Sequence, residues 1–179
     1  VDGIYNADPR KVPEAKVLDA ISPAEAAELT YFGSEVIHPF TMERAIQAQV
    51  RIRIKNTLAP EKSGTLILPE GLNGENLKTR QSMQHTAIAV IAKNQIRTIN
   101  IHSNRMLHSS GFIARVFDVF RKHEVVIDLI STSEVNISCT VDSPEKLNGL
   151  VQELEELGTV TVHKDRSILS LVGEGMRTT

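Results

Sequence analysis

Two hydrophobic periods alternate along the chain. Near its start, "SPAEAAELTYFG" has the 3.6-residue period of a helix together with end signals. Ser22 stands at the N-cap, Pro23 at the first helical position, Glu25 three residues on completes a capping box, and Gly33 is the expected stop. "HPFTMERAIQAQ" repeats this logic with Thr41 as the expected cap and His38 as a helix-entry residue. "VRIRIKNT" alternates strictly and predicts a half-exposed strand, and "GTLIL" predicts a short apolar one. Helices alternating with strands predict an α/β layer over residues 1–69.

"EGLNGENLKTRQSMQ", residues 70–84, is polar with two glycines and reads as a linker. Beyond it, "TAIAVIA" and "IRTINIHS" are strand patterns. Ser109 to Lys122 predicts a helix with Ile113, Val116, Phe117 and Phe120 on one face. "VVIDLIST" and "VNISCTV" predict strands separated by a short break at Ser133–Glu134. "SPEKLNGLVQELEEL" predicts a helix capped by Ser143, with Pro144 first and Lys146 where a capping-box acid would stand; Gly158 stops it. "TVTVH" and "SILSLVG" are strands. Ile96 to His163 therefore has the β-α-β-β-α-β order of a ferredoxin-like unit. Residues 85–94 and 165–179 contribute two further strands, expected to belong to a second, incomplete unit of the same kind into which the first is inserted. The chain is then expected to be truncated at Thr179.

Composition adds mild bounds. The 179 residues are 41% hydrophobic and 23% charged, an ordinary globular profile. A net charge of −2 argues against nucleic-acid binding through a basic face. The lone Cys139 lies in an apolar strand pattern with Ile137 and Val141. It is expected in the core, which excludes a disulfide framework and fits a reducing, cytoplasmic setting. No apolar run approaches the roughly 20 residues that span a bilayer, so no membrane association is expected, and "VDGIYNADPR" lacks the features of a signal peptide.

Candidate chemistry is sparse. The chain has no GxxxxGK[ST], HExxH, CxxC or GxSxG. Its six histidines lack metal-ligand spacing, and no metal site is expected. Two constellations remain. In "VDGIYNADPR", Asp2 and Asp8 with Arg10 and Lys11 bracket a loop; Arg suits phosphate, although Asp and Gly are also simply turn formers. The second is "NRMLHSSG" with "IDLISTSEV". Asn104, His108, Ser109, Ser110 and Gly111 separate a strand from a helix. Such a turn presents N–H groups to a small anion, or is an ordinary connection with a Ser cap. Asp128 lies in an otherwise apolar strand. It pairs with the ammonium of an amino-acid ligand whose carboxylate meets the N–H groups near Gly111, or it faces water on an edge strand.

"VDGIYNADPRKVPEAKVLDAIS", "YFGSEVIHPFTME" and "IRIKNT…GTLI" closely resemble the C-terminal part of the aspartokinase catalytic domain. "NRMLHSSGFIARVFDVF" with "VVIDLISTSEV" resembles the first ACT domain of that family, most closely its fungal branch. The resemblance implies an amino-acid-kinase fold over 1–69, a linker over 70–84, a first ACT domain over 95–164, and strands of a second ACT unit at 85–94 and 165–179. It implies ATP with Mg2+ as substrate of the parent enzyme, L-aspartate as acceptor, and no tightly bound cofactor. Tyr5 and Arg10 match the nucleotide loop, with Arg10 near the phosphates. Met106, Ser109, Gly111, Phe112 and Ile113 match an effector loop; Ile127, Asp128, Thr132, Ser133 and Glu134 match its second wall. The implied effector is an end-product amino acid, L-threonine before L-lysine, bound where ACT units of two chains join in a homodimer. Glu35 stands where bacterial relatives carry a phosphate-contacting Lys, so no catalytic residue is assigned. The family's lysine-glycine motif is absent from the chain, which is expected to be inactive alone. A stand-alone amino-acid-binding regulatory subunit is the alternative; an ACT module on a different enzyme is disfavoured by "VDGIYNADPR".

Overall fold

The computed structural model describes residues 1–32, 38–68, 87–142 and 147–173. The expected stop at Gly33, Glu35, the linker at 70–84 and the cap at Ser143–Lys146 lie outside the described residues, as do residues 85–86 and 174–179. The chain divides into two units: residues 1–93 with 169–179, and Asn94–Ile168.

In the first unit, β1 (Ala20–Ile21), α1 (Pro23–Phe32), α2 (Pro39–Gln47), β2 (Ile52–Ile54) and β3 (Thr65–Ile67) build a three-stranded sheet of order β1-β3-β2. β1 runs parallel to β3 and β2 antiparallel to it. The mixed sheet and its helices match the expected α/β layer. The capping box of α1 forms in full: the Glu25 N–H donates to Ser22 Oγ at 3.2 Å, and the Ser22 N–H donates to Glu25 Oε2 at 2.9 Å. Both residues are buried, so each bond replaces lost solvation. Ser22→Ala is expected to cost this unit about 0.5–2 kcal/mol in urea unfolding, with Ser22→Thr close to wild type; equal losses from the two would refute the capping role. Thr41 is not the cap of α2. Pro39 takes the first helical position, where its missing N–H costs nothing, and the His38 carbonyl accepts from the N–H of Thr41 and Met42. The core collects Ile4, Leu18, Ile21, Ala26, Leu29, Met42 and Ile67, with Ala89 and Val172.

The second unit follows the ferredoxin-like order. β4 (Ala89–His102) leads through a 3-10 turn (Asn104–Met106) to α3 (Phe112–Lys122). The chain continues through β5 (Ile130–Thr132), β6 (Asn136–Val141) and α4 (Leu147–Glu155) to β7 (Thr159–Val172). The sheet order is β5-β6-β4-β7. Ala89–Ala92 of the first strand pattern and Ile96–His102 of the second lie in one strand, with Gln95 at φ 61° inside it, and "TVTVH" and Ser167–Val172 are likewise continuous in β7.

Pairing of Ile99 with Cys139 and Ile101 with Ile137 aims these side chains into one core with Phe112, Val116, Val119, Phe120, Leu150 and Leu154. Cys139 is fully buried, as its alternation with Ile137 and Val141 predicts, and burial pushes its thiol up to about 11. Two expectations change. α3 starts at Phe112 rather than Ser109, and Ile113 stays 37% exposed while Phe112 and Val119 join the buried face. "VVIDLIST" is a strand only from Ile130: the Asp128 N–H donates to the Thr140 carbonyl, and the Leu129 N–H to Thr140 Oγ1, both at 2.9 Å. Two residues thus answer one, which interrupts regular pairing as a bulge does.

Candidate functional site

The loop between β4 and α3 is a run of tight turns. N–H groups of Met106, Leu107 and Ser109 donate to the carbonyls of Ser103, Asn104 and Met106 at 3.1–3.3 Å. Its start is anchored to the end of α4: buried Ser103 donates through Oγ to the Leu157 carbonyl at 2.9 Å, and Arg105 Nη2 donates to the Glu156 carbonyl at 2.7 Å. The loop closes at Gly111, which adopts φ 79° as the N-cap of α3, a left-handed geometry that favours glycine. No side chain caps this helix. The Phe112 N–H donates to the Ser109 carbonyl at 3.4 Å, and the first turn keeps the N–H groups of Ile113 and Ala114 for another acceptor. A Cβ on Gly111 would meet nothing within 4 Å, so the backbone there is open to a visitor.

This loop and the turn after β5 border a cleft of about 500 Å³, lined by Met106, Leu107, His108, Ser109, Gly111, Phe112, Ile113 and Glu134. Met106, Phe112 and Ile113 give it an apolar wall, the helix start a positive end, and Glu134 a carboxylate. Such a site suits a small zwitterion. All five residues expected in the first wall line the cleft. From the second wall only Glu134 does. Ile127 packs against the core instead. Asp128 is half-buried before β5, and Thr132 pairs with Ile137. Ser133 shapes the turn, its N–H donating to the Asn136 carbonyl at 2.8 Å while its Oγ accepts from the Asn136 N–H at 3.2 Å. Leu107 and His108 also line the cleft, beyond the residues that the resemblance implies. Leu107 is 44% exposed, and His108 adopts φ 55°. His108 belongs to the polar loop that the sequence marks out, whereas the signal of Leu107 is position alone, between Met106 and Ser109.

The other constellation lies in the first unit. Tyr5 bridges Val17 in antiparallel fashion, which fixes the base of the loop. Arg10 lies at its tip with a side chain 88% exposed. Asp8 Oδ1 accepts from the Arg10 N–H and Nε, and Oδ2 from Nη2, each at 3.0 Å. The Arg10 side chain holds the Asp8 carboxyl below its ordinary range. Asp2 is engaged separately, by Lys62 at 2.6 Å and Asn56 at 2.8 Å, which lower its pKa in that order. The expected bracket of Asp2, Asp8, Arg10 and Lys11 is thus two separate pairings, Asp2 with Lys62 and Asp8 with Arg10. Among the described residues no helix is long and apolar enough to cross a membrane.

Comparison with known proteins gives a consistent assignment. The amino acid kinase family model matches residues 1–56, and an ACT domain model matches residues 99–151. Aspartokinase of Saccharomyces cerevisiae is 46% identical over 99% of the chain, and that of Schizosaccharomyces pombe is 42% identical over all of it. The chain spans 37% and 38% of these two relatives. Among solved structures, Escherichia coli aspartokinase III in complex with lysine and aspartate superposes with a TM-score of 0.80 at 34% identity, covering 96% of this chain and 37% of that one. Aspartate kinase of Clostridium acetobutylicum gives a TM-score of 0.86 at 25% identity, covering 100% of this chain and 41% of that one.

Proposed function

We propose that this chain, which belongs to the aspartokinase family, carries the end of the kinase domain and the feedback-sensing region of an enzyme that moves the γ-phosphate of ATP to the side-chain carboxylate of L-aspartate. Residues 1–69 close the kinase domain and 70–84 link it to the sensor. Residues 95–164 form the first ACT domain, and 85–94 with 165–179 supply strands of a second. Tyr5 borders the nucleotide and Arg10 its phosphates, with Mg2+ accompanying ATP. The amino-acid-kinase match over 1–56 weighs against a stand-alone regulatory subunit.

The observation that carries the sensing role is the cleft at the uncapped start of α3, with a carboxylate opposite. An amino-acid effector lays its carboxylate against the helix N-terminus and Gly111, where N–H groups and the helix dipole favour an anion. Its ammonium turns to Glu134, the acid that lines the cleft, with Asp128 behind it on the approach to β5. Threonine is the first choice of effector and lysine the second; aspartokinase III of E. coli has been solved with lysine. Edge strand β5 leaves Ile130 52% exposed beside Leu129 and Val126, which supports pairing with a second copy across this edge. An effector that prefers the low-activity arrangement inhibits by its difference in affinity, typically a coupling of about 1–3 kcal/mol.

Calorimetric titration of this chain with L-threonine and L-lysine tests the reading. Glu134→Ala is expected to weaken binding about tenfold or more, since charged hydrogen bonds contribute about 1.5–3 kcal/mol, with the melting temperature held; Asp128→Ala, at a residue that does not line the cleft, is expected to weaken it less. Unchanged affinity in Glu134→Ala would sink the cleft assignment.

A further inference from the structure

We infer that Asp8 is a positioning residue for the nucleotide phosphates, acting through Arg10; this rests on the reading of Arg10 as a phosphate contact.

A lone exposed arginine on a loop samples many rotamers, and binding a phosphate then costs that freedom. Arg10 does not stand in that situation. Its guanidinium is held edge-on by both oxygens of Asp8, through Nε and Nη2, and its own N–H is held by Oδ1. The holder is itself fixed. The Asp8 carbonyl accepts from the N–H groups of Lys11 and Val12, both at 2.9 Å, and Pro9 restricts the backbone between the partners. With the Nε–Nη2 edge occupied, the Nη1 edge and the remaining Nη2 proton are left for an incoming oxyanion. The side chain at 88% exposure presents them to solvent. Asp8 thus makes the fork rigid at the expense of part of its charge. A nucleotide polyphosphate gains from that trade when it approaches from the outward edge, because direction rather than net charge then selects it.

Asp8→Asn separates this role from an ordinary turn. The amide oxygen can still accept from the Arg10 N–H and keep the turn, but its NH2 group faces Nη2, and two donors cannot pair. In the full-length enzyme, Asp8→Asn is expected to raise KM for ATP about five- to tenfold. Change in kcat should stay within twofold, with KM for aspartate and the melting temperature unaltered. Arg10→Ala should do the same or more, and the double variant should be no worse than Arg10→Ala alone, because residues acting through one contact are not additive. Asp8→Glu, which keeps the paired acceptors one methylene further out, should lose less than Asp8→Asn and serves as the second variant should the first not fold. A KM shift in Arg10→Ala with none in Asp8→Asn overturns the inference and leaves the Arg10 reading standing. Additive losses, or an Asp8→Glu loss equal to that of Asp8→Asn, overturn it too. No shift in Arg10→Ala overturns the phosphate reading itself.

Discussion

Phe120→Ala is expected to remove most of the stability of the second unit. Phe120 is 1% exposed and sits among Val116, Leu150, Leu154, Cys139 and Ile99, where the C-terminal half of α3 meets α4 and the sheet. Truncating a buried Phe loses its transfer free energy and leaves a cavity, together about 3–5 kcal/mol. A unit of this size, Asn94–Ile168, is stabilised by about 4–11 kcal/mol at 0.05–0.15 kcal/mol per residue. The melting midpoint should fall by on the order of 15–30 °C, given about 4–8 °C per kcal/mol in small domains. Ile113→Ala is the matched control. Its side chain is 37% exposed and borders the cleft, so it should cost under about 1 kcal/mol. Thermal melts giving equal losses for the two would mean that α3 buries a different face.

Gly158→Ala should damage stability and, on the proposed sensing role, effector binding together. Gly158 follows α4 and accompanies its close: its N–H donates to the Leu154 carbonyl at 3.2 Å. A Cβ here would run into the carbonyl oxygen of His102 and come within 3.0 Å of Ser103 Cβ. His102 ends β4, and Ser103 begins the loop that borders the cleft. Relief requires the α4–β7 turn to move away, which strains the Ser103 bond to the Leu157 carbonyl. Overpacking of this kind costs about 1–3 kcal/mol. Effector affinity should fall at temperatures where the variant is still folded, because the loop loses its anchor. Melts and titration of one preparation separate the two effects. A stability loss with affinity intact would show that the Ser103–Leu157 anchor does not govern the cleft.

Local signals were legible and nonlocal ones were not. The capping box of Ser22 and Glu25 involves four consecutive residues, and the alternation at Ile137, Cys139 and Val141 reports one sheet face. Both could be read directly, as could the order of the ferredoxin-like unit. β1 could not: two residues become a strand only because β3, more than forty positions later, pairs with them. The two strand patterns read on either side of Gln95 join through that single residue at positive φ, which the strand carries through. The apolar residues beside Asp128 suggest a regular strand, whereas its place depends on Thr140 accepting from two neighbours at once. That bulge ends the regular strand and leaves Glu134, at the next turn, as the acid that lines the cleft. Resemblance carried the cleft's first wall in advance because those residues are nearly contiguous. It missed Leu107 and His108, which lie in the same loop.

The thiol of Cys139 turns the core of the second unit into its own clock. It is sealed between β4 and β5, and burial keeps it protonated far above neutral pH. Only the thiolate attacks an electrophile. Alkylation therefore waits for the sheet to part, and in the slow-chemistry regime its rate is the intrinsic thiol rate scaled by the open fraction. Because this is the chain's single cysteine, the signal comes from one place. Anything that grips the cleft and holds the unit closed slows that reaction, so occupancy of the cleft is written into the chemistry of a residue that never lines it.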